Sequence, residues 1–82
     1  MNKDTLPFSE KAQNFKLGIY RHYKGEVCKT LGVGRNSENI SEEFVVYQSL
    51  EKGLIWIRPL DMFMENVNLD GKIIPRFEYI GE

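Results

Sequence analysis

From residue 16 onward, apolar and polar residues alternate in short runs, and turn-forming residues interrupt these runs roughly every 8–12 positions. This spacing is typical of a small all-β barrel or sandwich. The sequence therefore predicts a partly open antiparallel barrel of five or six strands, SH3-like in build, which occupies residues 16–82 as a single domain. The predicted strands are Lys16–Tyr23, Glu26–Val33, Glu43–Leu50, Leu54–Arg58, Glu65–Leu69 and Lys72–Ile80.

Asp70-Gly71 is the strongest hairpin signal in the chain, because both residues tolerate the positive φ angles of a two-residue turn. A turn at this point sets the register of the two flanking strands. Pro75 cannot donate a ladder hydrogen bond, so it places the final strand at a sheet edge, at least locally. The predicted cross-strand pairs are Leu69 with Lys72, Val67 with Ile74 and Glu65 with Arg76.

Three other stretches carry expectations about exposure. Leu54–Arg58 is almost continuously apolar, which predicts a strand buried on both faces. Residues 35–42 are polar and turn-forming, which predicts an exposed loop. After Pro59 ends the apolar strand, residues 59–63 favour a single helical turn in which Met62 and Phe63 plug the end of the barrel.

The first 15 residues are polar and show no sustained period, which predicts a tail. Ser9 is a good N-cap for a short helix that would end at Gln13 or Phe15. An isolated helix of two turns is marginal in water, so this helix would need contacts with the domain. The apolar residues available for such contacts are Leu6, Phe8 and Phe15.

Length and composition narrow the function classes. A chain of 82 residues holds one small domain. Its single cysteine, Cys28, excludes a disulfide within the chain, and one histidine with one cysteine cannot complete a four-ligand zinc site. No run of about 18 apolar residues, the length that spans a membrane, is present, and the N-terminus lacks the features of a secretory signal. A reducing, cytoplasmic compartment is therefore the expectation, with no cofactor and no metal.

Charge is unevenly distributed along the chain, which is more informative than the formal net charge of −1. Lys16–Arg35 carries a net charge of +4, and residues 36–82 carry −5, with the single histidine neutral. This arrangement indicates either a local anion site or two halves of the domain that attract each other. It is too small for the footprint of a general nucleic-acid-binding protein.

The first predicted strand carries one cluster of candidate site residues. Tyr20, His22 and Lys24 share a face of this strand. His22 titrates near neutrality, and Tyr20 offers both a ring and a hydroxyl. The alternative is a partly buried histidine bonded to a backbone carbonyl, with Tyr20 in the barrel wall. A single histidine gives little support for catalysis when no carboxylate follows or precedes it at a spacing that indicates a catalytic pair.

Arg58 follows an apolar strand at the predicted mouth of the barrel, where its planar guanidinium can grip a carboxylate or phosphate. Trp56 lies two residues earlier and therefore on the same face, so a ligand can stack beside the guanidinium. The alternative pairs Arg58 with Glu65 or Asp61. Two interpretations are also open for the aromatic residues Tyr47, Trp56 and Phe63. They form an aromatic groove that binds a ligand, or they are part of the core.

Four segments occur together over residues 18–80: Gly18–Gly25 (GIYRHYKG), Val45–Gln48 (VVYQ), Arg58–Phe63 (RPLDMF) and Asp70–Phe77 (DGKIIPRF). In combination they resemble a family of short bacterial proteins that is catalogued only as a domain of unknown function. The resemblance implies a compact, stand-alone β-rich domain of the bacterial cytoplasm and transfers no mechanism. Asn36 stands where family members often carry a histidine, and Val27 and Cys28 stand where many carry aromatic residues.

The leading functional hypothesis is a non-catalytic binding module with no catalytic residues. Its ligand would be a small anionic molecule or an extended peptide. The residues expected to contact this ligand are Tyr20, His22, Tyr47, Trp56 and Arg58.

Two alternatives remain open. The first is RNA or ribosome association through the basic segment Lys16–Arg35, which the net charge disfavours. The second is a small enzyme that uses His22 as general base, with Arg58 stabilising a developing anion. A domain of this size has little room for a closed cleft unless it forms oligomers. The apolar residues of the tail and the strand edge at Pro75 both permit a homodimer.

Overall fold

The computed structural model describes residues 6–82, which form short antiparallel strands and two single-turn helices. The prediction of a small all-β fold is confirmed, and the strands of this region do not close into a barrel. The SH3-like build stays a prediction. This part of the chain contains no helix long and apolar enough to cross a membrane. The elements are α1 (Glu10–Gln13), β1 (Ile19–His22), β2 (Val27–Asn36), β3 (Asn39–Ser49), β4 (Ile55–Pro59), α2 (Leu60–Phe63), β5 (Asn66–Leu69), β6 (Lys72–Pro75) and β7 (Phe77–Gly81).

Five strands form the main sheet in the order β4-β3-β2-β1-β7, and β5 pairs with β6 in a separate hairpin. Seven strands result, rather than five or six, because the final predicted run divides at Arg76. Pro75 ends β6 without an amide hydrogen to donate. The Arg76 carbonyl then accepts a hydrogen bond from the Tyr23 amide at 2.9 Å, where the chain joins the main sheet.

The β5–β6 hairpin has the predicted turn and register. Asp70 and Gly71 both adopt positive φ angles, 52° and 87°, as a two-residue turn of this type requires. At the open end of the hairpin, Arg76 Nη2 donates to Glu65 Oε1 at 2.7 Å, which is the predicted ion pair. The predicted register is confirmed by the pairs Leu69–Lys72 and Val67–Ile74.

An aromatic cluster joins α2 to the main sheet. Phe63 of α2 is only 1% exposed and stacks on Phe77 of β7, with ring centroids 4.0 Å apart. Tyr20 and Tyr47 each meet Phe63 edge-on with centroids 5.3 Å apart. Edge-on geometries of this kind are favourable for aromatic pairs. The core is therefore built around Phe63.

The expectation that both Met62 and Phe63 plug the fold is right for Phe63 and wrong for Met62, which is 44% exposed. In a helix, residues three apart share a face and adjacent residues diverge. Leu60, three positions before Phe63, is accordingly the second buried residue of α2.

The expectation that residues 54–58 are buried on both faces is wrong. The strand formed there, β4, lies at the edge of the main sheet and, within the part of the chain that the structure describes, pairs only with β3. Ile55 and Ile57 are 61% and 67% exposed. Their run of apolar residues has the composition of a buried strand, but no neighbouring strand or layer covers it in the described chain.

The expectation of a loop at residues 35–42 is also wrong. β2 continues to Asn36 and β3 begins at Asn39, so only a tight turn connects them. In this turn the Asn36 Oδ1 atom accepts a hydrogen bond from the Glu38 amide at 2.9 Å. Strand pairing and turn hydrogen bonds, rather than burial, stabilise this hairpin tip. Its residues can therefore be polar.

The N-terminal segment packs onto the domain, although residues 1–5 of the predicted tail lie outside the described residues. Ser9 caps α1, and its Oγ accepts a hydrogen bond from the Ala12 amide at 3.1 Å. Its hydroxyl and amide donate to the Glu43 carboxylate at 2.6 and 2.7 Å, and these hydrogen bonds lower the pKa of Glu43. Lys11 pairs with Asp61 of α2 at 2.8 Å. These contacts stabilise a helix too short to form alone.

Candidate functional site

One face of the main sheet carries the candidate site residues, because directly paired residues on neighbouring strands point to the same side. His22 of β1 lies opposite Phe77 of β7, and Tyr47 of β3 lies opposite Trp56 of β4. Arg58, two positions after Trp56, shares this face. Together they line a pocket of about 350 Å³, which we call the sheet pocket.

Arg58 is held in the sheet pocket by uncharged groups. Its Nε donates a hydrogen bond to the Tyr47 hydroxyl at 3.3 Å, and its guanidinium lies 5.6 Å from the centroid of the Phe77 ring. Asp61 and Glu65, the two acids considered as its partners, pair with other basic side chains. Within residues 6–82, no carboxylate forms an ion pair with Arg58.

His22 forms another part of the pocket wall. Burial lowers its pKa below the ordinary value of 6.5; Arg58, Arg76 and Lys24 lower the pKa further, and Glu26 opposes them. The imidazole is therefore neutral at pH 7. Its Nδ1 atom accepts a hydrogen bond from the Lys24 amide at 3.1 Å, so the neutral ring carries its proton on Nε2. The histidine bonds to a backbone amide, not to the carbonyl considered from sequence.

Tyr20 is buried outside the sheet pocket. Its hydroxyl donates to the Lys16 carbonyl at 2.6 Å, and its ring stacks on that of Phe15. Burial raises the pKa of Tyr20 to about 12. The structure thus places Tyr20 in the aromatic core. It brings together the other four predicted site residues, His22, Tyr47, Trp56 and Arg58.

Five residues that line the pocket were not predicted from sequence to belong to it: Glu26, Cys28, Ser49, Ile57 and Phe77. The Ser49 hydroxyl donates to Glu26 Oε2 at 3.3 Å, which ties the one acid of the pocket wall to β3. Strand alternation was the available signal for Ser49, since it follows Tyr47 by two positions. Glu26 reaches the pocket through the tight turn after β1, where the His22 amide donates to the Glu26 carbonyl at 2.7 Å. Phe77 reaches it through long-range sheet order, which no local pattern reveals.

Cys28 also lines the sheet pocket but offers no nucleophile at neutral pH. Burial is the largest cause that raises the pKa of its thiol, and Glu26 adds to it, so that the pKa reaches about 11. The thiolate is the reactive form of cysteine, so Cys28 stays protonated and unreactive in this environment.

The remaining chemistry of the pocket suits recognition of an anion. Arg58 and Lys24 supply positive charge, and His22 supplies a neutral N–H donor. Trp56 is 49% exposed and presents a flat apolar surface beside Arg58. Among the described residues, no three His, Cys, Asp or Glu side chains come together in a way that could hold a metal ion.

Comparison with known proteins finds similarity over most of this fold. The family described as Protein of unknown function (DUF1653) matches residues 18–79. The crystal structure of a protein belonging to DUF1653 from Bordetella bronchiseptica is similar, with 40% sequence identity and a TM-score of 0.77, over 85% of this chain and 92% of that chain. A comparison with curated proteins finds no match. The resemblance to a family of unknown function is confirmed.

Proposed function

The chain belongs to the family described as Protein of unknown function (DUF1653), and from its sheet pocket we propose that it is a non-catalytic module that binds an anionic ligand. The observation that carries the proposal is the environment of Arg58. Its guanidinium contacts a neutral hydroxyl and an aromatic ring, without a carboxylate partner in residues 6–82. A guanidinium held in this way keeps donors available for a carboxylate or phosphate.

The neighbours of Arg58 support a ligand with an anionic head and a flat or apolar body. Lys24 adds a second positive charge at the pocket wall, and His22 adds an Nε2–H donor. The half-exposed Trp56 ring offers a stacking surface. Either a small molecule or an extended peptide can present this combination. Tyr20 serves the site only indirectly, through the core ring of Phe63.

The fluorescence of Trp56, the single tryptophan, tests this proposal directly. Benzoate, succinate and inorganic phosphate are the probes, and we expect a saturable change in emission with at least one of them. Arg58→Gln should weaken this binding by about tenfold or more. Arg21→Gln is the matched control, because Arg21 lies on the opposite face of the sheet and pairs with Glu78 at 4.0 Å. No saturable change with any probe, or equal affinity of wild type and Arg58→Gln, would contradict the proposal.

RNA association through Lys16–Arg35 receives less support from the placement of its basic side chains. Lys24 lines the sheet pocket, whereas Arg21 lies on the opposite face. The Arg35 guanidinium lies over the ring of Phe8, 4.1 Å from the ring centroid. A single-stranded RNA site needs a continuous basic groove with stacking rings, and its affinity falls steeply with salt. Salt-sensitive binding of a short RNA that leaves Trp56 emission unchanged would favour this alternative.

The catalytic alternative receives little support from the protonation state of His22. The Nδ1 atom of His22 accepts a hydrogen bond from the Lys24 amide, and this bond uses the one lone pair that the neutral ring offers in its plane. No lone pair is then left to take a proton from a substrate. This arrangement favours a hydrogen-bond donor over a general base. We propose a reducing, cytoplasmic setting for this binding role, which suits the buried free thiol of Cys28.

A further inference from the structure

β4 presents an unpaired backbone edge beside the sheet pocket. It is the terminal strand of the main sheet and, among residues 6–82, pairs only with β3. Natural sheets usually guard such an edge with lysines, prolines or inward-pointing charges. Over residues 54–59 the only charged residue is Arg58, and the only proline is Pro59 at the very end. An edge with so little protection is where an added strand can pair.

Pockets lie on both faces of the sheet at this edge. On one face, Trp56 and Arg58 border the sheet pocket. On the opposite face is a groove of about 270 Å³ with an apolar wall of Phe44, Val46 and Ile57, which we call the outer groove. Successive side chains of a strand point to opposite faces. A strand laid beside β4 would therefore direct alternate side chains toward a basic pocket and an apolar groove.

We propose that the ligand is an extended peptide with alternating acidic and apolar residues, which adds a strand to the edge of β4. Its acidic side chains meet Arg58 and Lys24, and its apolar side chains cover Ile57 and the outer groove. This inference rests on the proposed function, because Arg58 is the anion-binding group in both.

Charge complementarity selects this occupant over a second copy of the chain. Within residues 6–82, Arg58 has no acidic ion-pair partner, and an acidic peptide supplies one. A second copy that paired through its own β4 would bring another Arg58 and no acid from residues 54–59. The apolar side chains fit either occupant, whereas the charge fits the acidic peptide.

A fluorescently labelled peptide of sequence Val-Glu-Val-Glu-Val tests the inference by anisotropy with the full chain. A peptide of the same composition in block order, Val-Val-Val-Glu-Glu, is the first control. Two further versions are N-methylated, one on the valines and one on the glutamates. We expect the alternating peptide to bind about tenfold more tightly than the block peptide. One of the N-methylated versions should lose binding, because alternate amides of an added strand face β4. Equal binding of alternating and block peptides, or full binding of both N-methylated versions, would overturn the inference.

Two variants separate failure of this inference from failure of the proposed function. Val46→Thr keeps the size and branching of the side chain but weakens the apolar wall of the outer groove; it should reduce peptide affinity by about threefold or more and leave benzoate binding unchanged, because Val46 does not line the sheet pocket. Arg58→Gln should weaken both probes. Val67→Thr on β5 is the matched control, because Val67 is also partly buried and lies in the separate hairpin. Benzoate binding without peptide binding overturns this inference alone, whereas binding of neither probe overturns the proposed function as well. If the protein forms a stable dimer and Ile57→Lys dissociates it, the β4 edge binds a second copy of the chain. That result would overturn the proposal of a peptide ligand.

Discussion

Arg58 and Tyr47 lie on neighbouring strands, and the Arg58 Nε donates a hydrogen bond to the Tyr47 hydroxyl at 3.3 Å. Tyr47 is also the residue paired with Trp56 across the two strands. The same tyrosine therefore holds the guanidinium and contributes to the wall beside the half-exposed indole. Two paired strands thus supply the charge, the ring and the positioning hydroxyl of the proposed anion site.

Tyr47→Phe should weaken benzoate binding by about three- to tenfold, because it removes the hydroxyl that positions Arg58 and keeps the ring. The free energy of unfolding should change by less than about 1.5 kcal/mol, since one hydrogen bond is lost from a side chain that remains packed. Trp56 fluorescence and urea unfolding measure the two effects. Tyr79→Phe, outside the sheet pocket, is the control and should leave benzoate affinity unchanged. Wild-type affinity in Tyr47→Phe would show that the hydroxyl does not position Arg58.

Phe63→Ala should lower the free energy of unfolding by about 3–5 kcal/mol, because it leaves a cavity among rings that contact Phe63 on several sides. Met62→Ala, one residue earlier, should cost less than about 1 kcal/mol because Met62 is 44% exposed and lies outside the core. Urea unfolding followed by circular dichroism measures both. If the two variants were equally stable, Phe63 would not be the centre of the core.

The pKa of His22 should make stability depend on pH in a defined direction. Burial and the positive charges of Arg58, Arg76 and Lys24 lower this pKa below 6.5, although Glu26 opposes them. Between the folded pKa and 6.5, the unfolded chain binds more protons than the folded one. The contribution of His22 to stability is therefore fully present above pH 6.5 and is lost as the pH falls through the folded pKa.

NMR titration of the His22 ring protons measures this pKa, and urea unfolding across the same pH range measures the stability. His22→Gln should remove the part of the pH dependence that this group causes. Bound benzoate should raise the pKa of His22, because a nearby anion favours the imidazolium form. A folded-state pKa at or above 6.5 would contradict the electrostatics described for the sheet pocket.

Gly18→Ala should destabilise the protein by about 1–3 kcal/mol. Gly18 has a φ angle of 155°, and an added Cβ atom would lie 2.5 Å from the Gly81 carbonyl oxygen. The contact is with backbone, so it can be relieved only by separating β1 from β7. Gly32→Ala is the matched control, because no atom lies within 4 Å of its added Cβ. Equal thermal unfolding midpoints for the two variants would show that β1 and β7 are less closely packed than described.

The β5–β6 hairpin was predictable because its determinants are local. Asp70-Gly71 specifies the turn, and the turn fixes the Glu65–Arg76 pair. The exposure of β4 was not predictable in the same way. An apolar run such as residues 54–58 looks the same at a sheet edge and in a sheet centre, because its position depends on which distant strands pair with it.

The candidate site was predictable in part for the same physical reason. Strand alternation puts Trp56 and Arg58 on one face, and that local relationship is present in the structure. The approach of His22 to Arg58 depends on β2 and β3 lying between their strands, which is long-range information. Tyr20 shares a strand face with His22, yet it enters the core because α2 and Phe15 cover its end of β1.

The most direct test of the proposed anion site is an amide and indole NMR correlation spectrum of the labelled protein, titrated with benzoate. We predict saturable shifts confined to the signals of His22, Tyr47, Trp56 and Arg58 and their immediate neighbours. These shifts should disappear in Arg58→Gln and persist in Arg21→Gln. Absence of shifts at Trp56 and Arg58, or shifts spread along Lys16–Arg35 instead, would contradict an anion site in the sheet pocket.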